Sequence, residues 1–195
     1  HKDADSPRLL MYTSGTTGRP KGVVHSQNTL SAEYQNTAKF WGITQDDVCL
    51  MPSPVTHVSG YAHGMNFPLM NGSRAVLMEK WDAAEALRLL QKHKVTYTMA
   101  ATPFLQELLQ EVEKADVSLE TFRFFICGGA SVPPELIHRA FRLLPHTITC
   151  RAYGSTEAPT VSMGTKSRAG ETLAANTDGQ IVGHEVRIVD PSGNE

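Results

Sequence analysis

Short apolar runs alternate along the chain with longer stretches in which apolar positions recur at helical spacing. The runs at residues 8–13, 48–51, 74–77, 96–100, 123–127 and 147–153 predict strands. The stretches at 28–41, 83–93, 103–114 and 134–144 predict helices. In the second of these, Ala83, Ala86, Leu87 and Leu90 share one face, and Asp82 stands where an N-cap belongs. Pro133 and Pro134 favour a helix start after the turn at Gly128-Gly129. Residues 160–178 are polar and irregular. Residues 180–190 then alternate like an exposed strand, and Pro191-Ser192-Gly193-Asn194 signals a turn.

This alternation predicts an α/β fold, layered α-β-α with a largely parallel sheet. In such folds ligands gather at loops beyond the carboxyl ends of strands. The loops after Thr13, Cys127 and Tyr153 all hold such a position, so one site shared by three loops is expected.

Composition narrows the picture by exclusion. A chain of 195 residues can bury one substantial core. With 41% hydrophobic residues and a net charge of −2, nothing calls for nucleic acid. No apolar stretch reaches membrane-spanning length. Cys49, Cys127 and Cys150 are scattered, odd in number and set in apolar runs. They fit buried free thiols in a reducing, cytoplasmic setting better than a disulfide framework or a zinc site. His57 and His63 lack metal-ligand spacing and an acidic neighbour, which argues against zinc as well.

The most distinctive string is Met11-Tyr12-Thr13-Ser14-Gly15-Thr16-Thr17-Gly18-Arg19-Pro20-Lys21-Gly22. Hydroxyls and backbone N–H groups donate to anionic oxygens, glycines let the backbone come close, and Lys21 adds a mobile positive charge. These are the requirements for gripping a polyphosphate. It is not a Walker A loop, because Pro20 precedes Lys21 and the apolar pair Val23-Val24 follows Gly22.

Three more strings stand out. In Tyr153-Gly154-Ser155-Thr156-Glu157 a glycine turn presents hydroxyls and a carboxylate together, although the string alone also suits a helix cap. Cys127-Gly128-Gly129-Ala130-Ser131-Val132-Pro133 leaves room for a flat ring, or is a tight turn before a helix. Pro52-Ser53-Pro54-Val55-Thr56-His57-Val58-Ser59-Gly60 holds a histidine that, taken alone, is more often structural.

Residues 13–22 resemble the phosphate-loop signature of the adenylate-forming superfamily, which covers acyl- and aryl-CoA synthetases, adenylation domains of peptide synthetases and luciferases. The other three strings are similar to that family's further motifs, in the same order. The resemblance implies ATP/AMP binding by Thr13, Ser14, Gly15, Thr16, Thr17, Gly18 and Lys21, by Gly128, Gly129 and Ala130, and by Tyr153, Gly154, Ser155 and Thr156. It implies that Tyr153 flanks the adenine, that Thr156 bonds the α-phosphate, and that Glu157 holds Mg²⁺. Lys21, His57, Thr156 and Glu157 become the expected catalytic set. His57, Tyr61, Thr102 and Gly128 become the expected acyl pocket, with Ala62, Met65, Met99, Ala101 and Pro103 as further walls.

Amino-acid-activating members of the family carry an Asp to pair with the substrate ammonium. No Asp or Glu occurs here between Asp47 and Glu79, so a plain carboxylic acid is expected. Arg151 departs from the family, in which many members have Asn or Gln near the adenine edge. The expected chemistry is activation of the acid by ATP to acyl-AMP, then thioester formation with coenzyme A. Medium-chain and cyclohexanecarboxylate-type CoA ligases are nearest in flavour. Transfer to a carrier-protein pantetheine, or nucleotide binding without turnover, are the alternatives. Residues 1–178 are expected to form the AMP-binding core and 179–195 the start of a following β-rich segment. The family's ribose-binding Asp and C-terminal lysine would lie beyond Glu195, so the chain by itself is not expected to form acyl-CoA.

Overall fold

The structure, a computed structural model, describes residues 3–14 and 18–195. In chain order the first elements are β1 (Pro7–Thr13), β2 (Lys21–Ser26), α1 (Gln27–Trp41), β3 (Val48–Met51), a π-helix (Gly60–Asn66), α2 (Phe67–Asn71) and β4 (Arg74–Leu77). They are followed by α3 (Ala83–Lys92), β5 (Tyr97–Ala100), α4 (Thr102–Ala115), β6 (Phe124–Cys127), α5 (Pro134–Leu143) and β7 (Ile148–Tyr153). The last are β8 (Ser162–Met163), a 3₁₀ turn (Arg168–Gly170), α6 (Glu171–Asn176) and β9 (Gln180–Ile181).

One sheet runs β4-β3-β5-β6-β7-β8-β9. Its first five strands are parallel, with Val48 opposite Arg74, Cys49 opposite Tyr97, Tyr97 opposite Phe124 and Phe124 opposite Ile148. β8 and β9 add on antiparallel. β3, β5 and β6 are buried at every position, as strands covered on both faces must be. Side chains such as Leu50, Phe125 and Ile126 are nearly inaccessible, and each contributes roughly 1.5–3 kcal/mol by leaving water.

Crossovers between parallel strands are right-handed, and with this strand order that rule puts α3, α4 and α5 on one face and the helical segment 60–71 on the other. The packing agrees: α3 meets α4, α4 meets α5, and α1 meets α2. The chain leaves β3 toward β4 but leaves β5 toward β6, so the strand order reverses between β3 and β5. A crevice at their carboxyl ends is the outcome that topology dictates. At the opposite ends of the strands, Asp47 ties the sheet together. It accepts from the Arg123 guanidinium at 2.7 Å and from the Thr44 N–H at 2.8 Å.

The structure corrects three expectations. The run at 8–13 is not a strand of the parallel sheet; it pairs antiparallel with β2, Met11 against Val23 and Thr13 against Lys21. β1 and β2 therefore form a two-stranded antiparallel pair of their own. Burial alternates along β2, with Val23 and His25 inside and Lys21, Gly22 and Val24 outside. Residues 160–178 are not irregular throughout, since they hold β8 and α6, whose Ala174 and Ala175 pack against α5 and β7. Of residues 180–190 only Gln180–Ile181 pairs as a strand. Val186, Ile188 and Val189 are exposed with no partner strand among the described residues.

The three cysteines are free and buried, as their apolar settings predict. No helix among the described residues is long and apolar enough to cross a membrane.

Candidate active site

A cavity of about 220 Å³ opens at the carboxyl ends of β3, β5, β6 and β7. β3 leads into His57, Val58 and Ser59; β5 ends in Met99 and Ala100; β6 delivers Gly128 and Gly129; β7 delivers Ala152 through Thr156. Pro159 and Thr160 close the remaining side, and His63 reaches in from the π-helix.

The loop after β7 is tight. Ser155 N–H donates to the Ala158 carbonyl at 2.9 Å, and Val161 N–H to the Tyr153 carbonyl at 2.8 Å. Gly154 permits it, because a Cβ there would run into the Pro159 carbonyl. The loop turns Tyr153, Gly154, Ser155 and Thr156 toward the cavity and leaves Glu157 exposed beside it. Glu157 is held below the usual carboxylate range, first by its own backbone N–H and next by the Ser155 hydroxyl. The positive charge of Lys21 acts in the same direction. The site thus keeps an ionised, accessible carboxylate at its rim.

His25 explains how the hairpin joins the site. Its ring is 4% exposed, and Nε2 donates to the Thr156 carbonyl at 2.7 Å. This one bond spans 131 residues of sequence and ties β2 to the loop that carries Thr156 and Glu157. Lys21 lies at the start of the same strand.

His57 is exposed at the cavity wall. Its Nδ1 accepts from the Ser59 N–H at 3.2 Å, which leaves the proton of the neutral ring on Nε2. His63 is a second ring in the same cavity, 5% exposed, with no hydrogen-bond partner at Nδ1. Burial lowers its pKa to about 4. Behind Thr160 lies Glu33, a buried carboxyl on α1. Burial raises its pKa against hydrogen bonds from Thr160 and Thr37 and the nearby charge of His184.

Of the residues expected from sequence, His57, Gly128, Gly129, Tyr153, Gly154, Ser155 and Thr156 converge on the cavity. Glu157 and Lys21 stand close enough to feel each other's charge. Thr13, Ser14 and Gly18 belong to the hairpin end and do not border the cavity, and Ala130 is exposed beyond it. Gly15, Thr16 and Thr17 lie outside the described residues.

Tyr61 and Thr102 do not line the cavity. Tyr61 packs on the core, and the Thr102 hydroxyl is taken up by the Ser131 carbonyl at 3.0 Å. Among the further walls expected, Met99 lines the cavity, whereas Ala62, Met65, Ala101 and Pro103 do not. Arg151 also stays out; it donates to Asp178 at 2.8 Å and to the Ala175 carbonyl at 3.1 Å. His25 and His63 are among the site residues that sequence reasoning passes over, together with Ala100, Ile126, Pro159 and Thr160 on the cavity wall. The one legible trace is the inward phase of Val23 and His25 once β2 is read as a strand.

Comparison with known proteins places this geometry. The family described as AMP-binding enzyme matches residues 1–195. The medium-chain fatty-acid–CoA ligase of Escherichia coli K12 is 33% identical over 192 residues, which cover 95% of this chain and 32% of that protein. A Rhodococcus jostii ligase, 3-[(3aS,4S,7aS)-7a-methyl-1,5-dioxo-octahydro-1H-inden-4-yl]propanoyl:CoA ligase, is 33% identical over 187 residues, covering 93% of this chain and 35% of that protein. The o-succinylbenzoate coenzyme A synthetase of Bacillus subtilis, solved with ATP and magnesium, superposes with a TM-score of 0.81 at 27% identity. That match covers 92% of this chain and 36% of the other. The chain spans about a third of the length of the curated relatives it matches. Its mostly parallel sheet, the loops at its carboxyl edge and a match along its whole length lead to one conclusion: the chain belongs to the AMP-binding enzyme family, within the adenylate-forming superfamily.

Proposed function

We propose that the protein containing this chain activates a carboxylic acid with ATP and passes the acyl group to coenzyme A. The observation that carries the proposal is the meeting of a charged rim, Lys21 and Glu157, with a cavity whose wall is formed by Gly128-Gly129 and Tyr153–Thr156. The CoA-ligase relatives support the same reading. In the first step a carboxylate oxygen attacks the α-phosphorus, the bond to pyrophosphate breaks, and acyl-AMP forms. In the second the CoA sulfur attacks the acyl carbon, its proton is lost, and AMP leaves.

The resemblance of the motifs supports the following roles. Lys21 and residues 13–18 grip the phosphates, and Thr156 donates to the α-phosphate. Tyr153, Gly128 and Gly129 border the adenine, and Ala130, which stays outside the cavity, takes no such role. Such groups act by offsetting negative charge as it develops, and no protein nucleophile is needed. His57 sits where the substrate carboxylate enters. Among the described residues no group of three or more His, Cys, Asp or Glu could hold a metal ion alone. Mg²⁺ suits this site all the same, because it takes one or two carboxylates and fills its shell with phosphate oxygens and water. Glu157, ionised and exposed, is that carboxylate; the ion neutralises phosphate charge.

The acid occupies the cavity. Among the described residues no Asp, Glu, Lys or Arg lines it, so neither an ammonium nor a second carboxylate would find a partner there. The similarity to a medium-chain fatty-acid–CoA ligase supports a medium-chain or monocyclic acid. Three buried free thiols fit a reducing compartment, and we place the protein in the cytoplasm. We also place the AMP-binding core at residues 1–178 and the start of the next segment at 179–195.

The test is acid-dependent exchange of labelled pyrophosphate into ATP by the complete protein, followed by thioester formation on adding CoA. Exchange with aliphatic or alicyclic acids is expected. ATP binding without exchange for any acid would overturn the proposal.

A further inference from the structure

His63 sits mid-way along the π-helix Gly60–Asn66, borders the cavity and is 5% exposed. Its Nδ1 is sealed from solvent and has no hydrogen-bond partner. Buried polar atoms are nearly always paired, so an unpaired one needs a reason. As core filler a Leu or Phe would serve better, since neither leaves a polar atom unmet. The same cavity wall carries Val58, Met99, Ala100 and Ile126, so the ring is a polar point on a mostly apolar surface. With Nδ1 closed off, Nε2 is what the ring offers to an occupant.

We propose that His63 determines substrate specificity: its ring hydrogen-bonds an oxo or hydroxyl oxygen carried on the acyl part of the acid, so that oxygenated acids are selected over hydrocarbon acids of the same shape. The inference rests on the acid-activating reading above and deepens it. Position supports it. Helices of this wide-turn kind recur at functional sites. The backbone around His63 is pressed against β3: its carbonyl receives the Cys49 thiol at 3.8 Å, and a Cβ on Gly64 would run into Met51. The backbone that carries the ring is therefore held in place. Burial keeps it neutral at pH 7, with a pKa of about 4. A neutral ring pairs with a carbonyl or hydroxyl oxygen and gives no counter-charge to a second carboxylate.

The experiment measures pyrophosphate exchange by the complete protein with matched acid pairs: cyclohexanecarboxylate against 4-oxocyclohexanecarboxylate, and octanoate against 7-oxooctanoate. The same pairs are run on His63→Leu and His63→Gln, with thermal unfolding as a fold control. In the wild type the oxo member of at least one pair should have the higher kcat/KM by about tenfold, the size of one net neutral hydrogen bond. His63→Leu should move that ratio about tenfold toward the hydrocarbon acid while leaving the KM for ATP unchanged, and His63→Gln should retain part of the preference. A purely structural role would alter both acids alike and leave the ratio where it was. Ratios near one in the wild type, or unchanged in His63→Leu, would overturn the inference and leave acid activation standing. No exchange with any acid would take down both. If His63→Leu does not fold, the wild-type ratios and His63→Gln decide.

Discussion

Replacing His25 by Phe tests how the phosphate-gripping hairpin is held to the rest of the site. Phe keeps the volume of a ring that is 4% exposed but deletes the 2.7 Å bond from Nε2 to the Thr156 carbonyl. The direct loss is one neutral hydrogen bond, about 0.5–1.5 kcal/mol of stability. For a domain of 150–250 residues each kcal/mol corresponds to about 2–4 °C in Tm, so the variant should melt within a few degrees of wild type. The catalytic loss should be larger than that. The bond sets the distance between the strand carrying Lys21 and the loop carrying Thr156 and Glu157, and a displacement of about 1 Å of such groups can cost on the order of 100-fold. We expect kcat/KM for ATP in pyrophosphate exchange to fall about 10- to 100-fold, with His25→Gln recovering part of it by restoring a donor. A variant that loses a few degrees of Tm yet keeps its kcat/KM for ATP within twofold would refute the coupling and reduce His25 to a packing residue.

Lys21→Ala should cost about 1.5–3 kcal/mol of a charge-assisted contact, one to two decades in adenylation rate, with Tm unmoved because the side chain is exposed; unchanged exchange would remove its role. Glu157→Gln should raise the magnesium concentration needed for half-maximal turnover more than it raises the KM for the acid, and a superimposable magnesium titration would rule the assignment out. Asp47→Asn should destabilise the fold by about 1.5–3 kcal/mol through loss of charge toward Arg123, without selectively harming ATP binding. Burial pushes the Asp47 carboxyl up, but hydrogen bonds from Thr96, Thr44 and Arg123 outweigh it and hold the pKa below the ordinary value. A depressed folded pKa means the stabilisation is present above the unfolded value near 4 and is lost as pH falls through the folded one. Urea unfolding of both proteins should therefore show a constant gap from about pH 5 to 7 that closes on acidification below about 4, and a gap indifferent to pH would contradict the assignment.

The five parallel strands of the sheet were legible because their physics is local. β3, β5 and β6 lie between two helical layers, so every position is buried and all but Thr98 are apolar or aromatic, and no alternation confuses the reading. Helices α3 and α5 carry a clear apolar face, and Asp82 caps the first as its position suggests, accepting from the Glu85 N–H at 2.8 Å. Residues 60–71 gave no such signal. Two glycines and a proline break the periodicity, and the π-helix there turns with a wider period than the 3.6 residues a sequence reader looks for. Tyr61 was expected in the pocket and His63 was not, because that phase decides which residue faces the cavity. Thr102 failed similarly: its hydroxyl meets Ser131, a partner 29 residues away.

What the sequence determined by itself was the chemistry available and the order in which it appears: a loop of hydroxyls, glycines and a lysine, two glycine turns after apolar strands, a carboxylate after a threonine, and a membership in one enzyme family that those strings announce. Each is a property of neighbouring residues, and local conformational preference suffices to present it. What only the tertiary structure decided was which of these meet. The hairpin of β1 and β2 stands apart from the parallel sheet and is bound to the site through His25, a contact no local pattern contains. The cavity lies where the strand order reverses between β3 and β5, and strand order is a property of the assembled sheet. His63 owes its role to burial, and burial is set by everything packed around a residue rather than by the residues beside it in the chain.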